Sequence, residues 1–419
     1  MKTDNTNHRR KFIKQLSAGA LAALTIPVIG RSESLPPFTH SGDEAYWEMV
    51  KKQFAVPENL TMMNAANLCP TTYEVNERVI EFTRALGRDV SFQYRDVFIE
   101  LRKKSISMLS EFVGADEEEI GITRNTSESN CIVVQGLDFK TGDEIIIWDQ
   151  NHPSNEAVWI SRAKRFGFTV KKISVPNAPT STQELVESFS RAITPKTKLI
   201  SFSHISNLSG IALPAKEICL MAKAKGILTL VDGAQSLGMM NLDLHEMGCT
   251  FYSSSTHKWL MGPYENGILY INKENIHRIW PNVIGGGWKE AKTVDANICV
   301  LGQRNESTTA ALPEILQFHN SIGRKGIEDR VIFLASTLKE KIQKSLPNAL
   351  IVTPLSKTLS GGIVIINLPG KDPKEVSQKL YEKYGIASAA SGGIRLSPHI
   401  YNTLTDLDKA VNPLKNFTA

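Results

Sequence analysis

The sequence predicts an α/β fold: a large domain built on a seven-stranded, mostly parallel, doubly wound sheet, followed by a smaller C-terminal α/β domain. Three observations carry this. Between residues 120 and 272, short β-rich runs alternate with helix-length stretches. Those runs are close to continuously apolar, as strands covered on both faces must be. From about residue 290 the texture changes to a long helical stretch and then to short, mixed segments.

Taken in order, Asp43–Phe54 reads as a short amphipathic helix after a polar, proline-containing linker. The strand candidates are Glu119–Thr123, Glu144–Trp148, Thr169–Val175, Leu199–Ser203, Ile227–Asp232, Thr250–Ser253 and Gly267–Ile271. Helical patterns at Ser154–Arg165, Thr182–Ala192 and Ala215–Lys225 lie between them. Beyond residue 290, one long helix is predicted over Leu312–Ser345, then a strand at Gly362–Leu368, a helix at Pro373–Tyr384 and a strand at Ile394–Ser397. The expected domains are therefore a leader at 1–30, a linker and N-terminal helix at 31–60, a large domain at 61–289 and a small domain at 290–419.

The 419 residues are 42% hydrophobic and 22% charged, an ordinary globular composition that excludes fibrous and largely disordered chains. No apolar run is long enough for a polytopic membrane protein. The net charge is +5, but residues 1–30 hold Lys2, Arg9, Arg10, Lys11 and Lys14 against Asp4 alone. The remainder is close to neutral, which leaves no footprint for nucleic acid. The leader runs from this basic start through a weakly apolar stretch, Leu16 to Ile29, to polar residues from Arg31. Arg9-Arg10 followed by Phe12-Ile13-Lys14 resembles a twin-arginine signal, whose machinery exports folded proteins, so a periplasmic or exported location is expected. A basic tail leading into an amphipathic helix is the alternative. The five cysteines show no CxxC spacing and are expected mainly as buried free thiols. Nine histidines without an HxxxH pair suggest no metal site.

In sheets of this kind ligands bind beyond the carboxyl ends of the strands, so the residues just after each strand matter most. Leu230-Val-Asp-Gly-Ala-Gln-Ser236 delivers Asp232 and Gln235 to that rim, and Ser253-Ser-Ser-Thr-His-Lys-Trp259 delivers Ser255, His257 and Lys258. Singly, Asp232 reads as a helix cap and Lys258 as a surface lysine. Thr123-Arg-Asn-Thr-Ser-Glu-Ser-Asn130 follows another strand and opens a helix, where Thr126 and Ser127 form either a phosphate cradle or a plain capping box. His152 and Asn207 follow two further strands, where a loop histidine beside a proline and an Asx-turn are the bland readings.

Together these residues resemble fold-type I pyridoxal-phosphate enzymes, specifically aminotransferase class V, with cysteine desulfurases and isopenicillin N epimerase-like proteins as relatives. The resemblance covers essentially all of residues 60–410. It implies that pyridoxal 5'-phosphate (PLP) is the cofactor and that Lys258 is its Schiff-base lysine and the base at Cα. It further implies that Asp232 holds the pyridine nitrogen protonated and that Gln235 contacts the ring oxygen. Thr126, Ser127, Ser255 and His257 would bind phosphate, and His152 would stack on the ring. Asn207 would reach the ring oxygen and the substrate carboxylate.

Gly393-Ile-Arg-Leu-Ser-Pro-His-Ile-Tyr-Asn-Thr403 resembles the family segment whose arginine, here Arg395, clamps that carboxylate bidentately, a task lysine does not replicate. Arg304-Asn-Glu-Ser-Thr-Thr309 resembles the stretch that relatives lend to a neighbouring subunit's phosphate, nominating Thr309 and a homodimer with shared active sites; Thr308 stands where the family has glycine. Asn64, in Asn64-Ala-Ala-Asn67, resembles the loop lining the substrate side. Desulfurases carry a nucleophilic cysteine before the matching arginine, whereas Ala387-Ser-Ala-Ala-Ser-Gly-Gly393 is short and lacks one. Export in the folded state suits an enzyme loaded with cofactor in the cytoplasm. The expected activity is transamination or epimerisation of an amino-acid-like substrate. A carbon–sulfur β-lyase is the second reading, and a non-catalytic binding or maturation partner the third.

Overall fold

The computed structural model describes residues 35–286, 288 and 290–417. The predicted leader, with its twin-arginine pattern, lies outside the described residues.

Seven strands form the central sheet: β2 (Ile120–Thr123), β3 (Glu144–Trp148), β4 (Thr169–Ile173), β5 (Thr197–Ser203), β6 (Leu228–Asp232), β7 (Phe251–Ser255) and β8 (Gly267–Ile271). A two-residue strand, β1 (Thr61–Met62), precedes them. The order across the sheet is β2-β8-β7-β6-β5-β3-β4. β3 to β7 pair in parallel, while β8 runs antiparallel to both β7 and β2. The exception has a physical reason: no helical crossover separates β7 from β8, and a chain that returns by a loop pairs antiparallel. That loop carries His257 and Lys258.

Alternation along the strands divides the core in two. Ile146, Trp148, Ile200, Phe202, Val231 and Tyr252 join one buried cluster. Ile145, Ile147, Leu199, Leu230 and Phe251 join another. Each such side chain contributes roughly 1.5–3 kcal/mol on burial, which fixes the register, because a one-residue slip would exchange the two sets. The flanking helices start where their sequences cap them. Asn125 accepts from the Glu128 N–H at 3.0 Å to open Thr126–Gly136, and Ser181 accepts from Glu184 N–H to open Thr182–Ala192. Proline opens Pro153–Phe166.

The C-terminal part holds an antiparallel sheet of β9 (Leu350–Ile351), β10 (Val364–Asn367), β12 (Ala389–Ala390) and β13 (Ile394–Leu396), ordered β12-β13-β10-β9. Its core gathers Leu334, Leu338, Val364, Ile366, Leu380, Leu396 and Leu407. β1 pairs in parallel with β11 (Ile386–Ala387), and Asn64 bridges Ser397 beside them. The N-terminal loop is thereby laid against the segment that carries Arg395.

Two predicted elements differ. The single helix over 312–345 is two, Leu312–Ile322 and Arg324–Ser345, broken at Gly323 with φ 90° and ψ 132°. Glycine enters that region without Cβ strain, so the chain turns there. The N-terminal helix stops at Lys51, and Phe54 instead bridges Thr72. Two helices to which the sequence pattern assigned nothing, Tyr73–Arg88 and Phe92–Val113, follow. Among the described residues no helix is long and apolar enough to cross a membrane. All five cysteines are free, and Cys69, Cys219, Cys249 and Cys299 are buried.

Candidate active site

The carboxyl ends of β6 and β7 meet the N-termini of the helices that follow β2 and β3 around a cavity of about 200 Å³. Seven predicted residues line it: Thr126, Ser127, His152, Asp232, Ser255, His257 and Lys258. Residues scattered over more than 130 positions converge because each sits at the same end of a strand in one sheet.

Asp232 is buried, 3% exposed. Its Oδ2 accepts from Asn130 Nδ2 at 3.0 Å and Asn155 Nδ2 at 3.3 Å, and its Oδ1 accepts from the Ala234 N–H at 3.1 Å. Both asparagines are themselves oriented, Asn130 by the Ser253 hydroxyl at 2.6 Å and Asn155 by the Ser201 hydroxyl at 3.3 Å. The sequence reading nominated neither. The available signal was a polar residue in the first turns of helices that begin at the sheet rim, where a buried amide needs a partner.

The Lys258 amine makes no hydrogen bond to the described residues, while the Lys258 carbonyl accepts from the Met261 N–H at 2.8 Å. Burial lowers the pKa of its amine, Asp232 opposes that shift, and Arg395 adds to it. His152 caps Pro153–Phe166 by accepting the Ser154 N–H on Nδ1, and burial followed by the Lys258 charge lowers its pKa. His257 is lowered to about 4 by burial, and its Nδ1 is buried without a partner. Thr126 donates its N–H to Ser255 Oγ at 2.8 Å, and the two hydroxyls lie 2.6 Å apart at the start of Thr126–Gly136. Helix N–H groups, three hydroxyls and an imidazole suit a phosphate. A buried carboxylate suits a protonated ring nitrogen, and an unpaired lysine suits an aldehyde. The partnerless His257 Nδ1 and Lys258 amine are what such a group would satisfy, so the residues present fit PLP.

Arg395, Asn64 and Asn207 form a second group. Arg395 Nη2 donates to Asn64 Oδ1 at 3.1 Å and Nη1 to the Asn207 carbonyl at 3.4 Å, while Nε is buried without a partner. Burial lowers this guanidinium to about 10. The Asn207 amide is turned toward Ser391, donating to its Oγ at 3.3 Å. Gln235 lies apart from the cavity lining: its Nε2 donates to the Ala66 carbonyl at 2.9 Å, and its Oε1 accepts from the Trp259 indole at 2.7 Å. Thr309 lines a different cavity, of about 300 Å³, with Arg102 and Arg304, and donates its hydroxyl to Asn266 Oδ1. The one group of metal-type side chains among the described residues is Asp116, Glu119 and His245; Asp116 and Glu119 precede the amino end of β2, opposite the carboxyl end that leads to Thr126, and Glu119 accepts from the Asp116 and Lys273 N–H groups.

The family model for aminotransferase class-V matches residues 83–410. Isopenicillin N epimerase of Streptomyces clavuligerus is 27% identical over 395 residues, covering 89% of this chain and 99% of that protein. A probable cysteine desulfurase of Staphylococcus aureus is 30% identical over 323 residues, covering 71% and 76% of the two chains. Among solved structures, the apo cysteine desulfurase of Thermococcus onnurineus NA1 superposes with a TM-score of 0.79 at 24% identity, covering 88% of this chain and 98% of that one. A mutant of C-DES with glycine covalently linked to its PLP cofactor reaches 0.80 at 23% identity, covering 87% and 99%. These two structures share the fold.

Proposed function

Since the chain belongs to the class V aminotransferase family and is a PLP-dependent enzyme, we propose that it acts at Cα of an amino-acid-like substrate as a transaminase or epimerase-like catalyst. The observation that carries this reading is the hairpin before Arg395. β12 pairs antiparallel with β13 through a turn at Ser391–Gly393, and this segment, where desulfurases keep their nucleophile, contains no thiol. The turn is docked so closely that a Cβ on Gly392 would lie 1.8 Å from the Leu208 carbonyl oxygen. Cys69, whose thiol lies within electrostatic reach of Lys258, is pushed up to about 12 by burial, so it stays a thiol rather than a nucleophilic thiolate.

When bound, PLP supplies an electron sink for negative charge at Cα. In this reading Asp232 would hold the ring nitrogen, and Thr126, Ser127, Ser255 and His257 the phosphate. Arg395, braced by Asn64 and the Asn207 carbonyl, presents its free Nε edge to the substrate carboxylate and orients Cα. Lys258, its amine biased toward the neutral form, takes and returns the Cα proton. His152, held as a neutral imidazole, covers the outer side of the cavity. A homodimer belongs to the same proposal, supported by exposed Phe92, Val97 and Ile99 on the helix that leads toward the Thr309 cavity. Export rests on the sequence of residues 1–30.

The test is the visible band of the lysine-bound cofactor while amino acids are added singly and products are read by mass spectrometry. Bleaching reversed by a keto acid identifies a transaminase. Deuterium entering Cα from solvent with loss of optical purity identifies an epimerase. Pyruvate with ammonia or a thiol would replace the reading with the β-lyase. Persulfide with alanine would refute the hairpin argument, and a chain that never takes up PLP would support the non-catalytic reading.

A further inference from the structure

Lys258 sits in the loop joining β7 to β8, whose turn passes through Met261 at φ 59°. Outside a sheet ladder, this loop's carbonyls need partners from elsewhere. The His257 carbonyl accepts from the Cys69 N–H at 3.0 Å. The two residues after the lysine are held by imidazoles: the Trp259 carbonyl lies 2.7 Å from His399 Nε2, and the Leu260 carbonyl 3.0 Å from His319 Nε2. A carbonyl only accepts, so each Nε2 carries the hydrogen and each Nδ1 is the bare nitrogen. Both Nδ1 atoms are buried without a partner, and both histidines are 0% exposed. Burial holds them at about 4 and about 3, so both remain neutral donors at neutral pH.

His399 belongs to the segment that carries Arg395. Between them the Ser397 N–H donates to the Met63 carbonyl at 2.7 Å, and Asn402 Oδ1 accepts from the His399 N–H at 3.0 Å. Trp259 is also held from its other end, through its indole on Gln235. We propose that His399 and His319 are positioning residues for Lys258. By holding the carbonyls of the two residues that follow it, they set where its amine enters the cavity, and His399 ties that position to the carboxylate-binding arginine. The proposal rests on the reading of Lys258 as the base at Cα; neither histidine touches substrate.

The test compares His399→Leu and His319→Leu, which remove the donor, with His399→Gln, which keeps one, in the PLP-loaded full chain. Three quantities are read: the pH midpoint of the visible band, kcat against KM, and, in the cofactor-free chain, the pH dependence of Lys258 labelling by an amine-reactive reagent. The leucine variants should move the band and labelling midpoints by at least about 0.5 pH unit. They should lower kcat about 10-fold with KM changed less than about 3-fold, as a displaced catalytic group does. His399→Gln should restore most of both. Folded leucine variants with unchanged midpoints would overturn the proposal, as would a glutamine variant as damaged as the leucine one. If His399→Leu does not fold, His319→Leu and His399→Gln decide. A Lys258→Ala chain that keeps the wild-type band would instead sink the underlying reading of Lys258.

Discussion

His204 offers a test of how dry the rim of the sheet is. The residue follows β5, its N–H donates to the Asp232 carbonyl at 2.9 Å, and it is 4% exposed with Nδ1 partnerless. Burial lowers its pKa from 6.5 to about 4. Because the folded value lies below the unfolded one, the unfolded chain binds a proton in this window that the native chain refuses. The contribution is complete above pH 6.5 and is lost as pH falls toward 4. Each pH unit between the two values is worth about 1.36 kcal/mol, which amounts to about 3 kcal/mol over the window and about 2.5 kcal/mol between pH 7 and 4.5. His204→Gln removes the titrating group at similar size. The assay is chemical denaturation of wild-type and variant chains, both without cofactor, at pH 7 and 4.5. Acidification should favour the variant over wild type by about 2.5 kcal/mol, the shared carboxylate effects cancelling in the difference. Curves that stay parallel within about 0.5 kcal/mol would show that His204 is protonated in the native state, and the burial argument would fail.

Three further outcomes follow from the same geometry. Asp232→Asn should lower kcat by at least about 100-fold while the chain stays folded, since it removes the only carboxylate lining the cavity among the described residues; steady-state kinetics alongside a melting curve check it. Arg395→Lys should raise KM by about 10-fold or more, because an ammonium cannot present the fork that Asn64 and Asn207 brace; saturation kinetics on one responsive amino acid decide this. Gly238→Ala should destabilise by about 3 kcal/mol or more, since its φ of +83° disfavours a side chain and the new Cβ would lie 2.4 Å from the Leu260 backbone. It should also displace the lysine loop, read as a shift in the visible band.

The parts of the site legible in the sequence were those governed by short-range rules. Asp232, Ser255, His257 and Lys258 were found because a strand pattern ends beside each, and strand ends on one sheet share an edge. Cap chemistry placed Thr126 and Ser127 at a helix start for the same local reason. What escaped was set by non-local pairing. Asn130 and Asn155 look like ordinary helix residues until folding brings both onto Asp232 Oδ2. Gln235 follows Asp232 closely enough to be placed at the rim, yet its amide is occupied by Ala66 and Trp259, partners that local sequence does not indicate. Gly323 shows the limit from the other side, since a helical pattern tolerates one glycine at about 1 kcal/mol and only packing decides whether the chain bends there.

By itself, then, the sequence determined the α/β architecture, the parallel core strands and the set of chemical groups at their carboxyl ends, because periodicity, caps and turns are written within a few residues. The tertiary structure alone decided which amides hold Asp232, which carbonyls brace Arg395, and that two buried imidazoles grip the backbone after Lys258. Those contacts join residues up to 331 positions apart, as with Asn64 and Arg395, and a hydrogen bond across such a span depends on every intervening turn rather than on any local pattern.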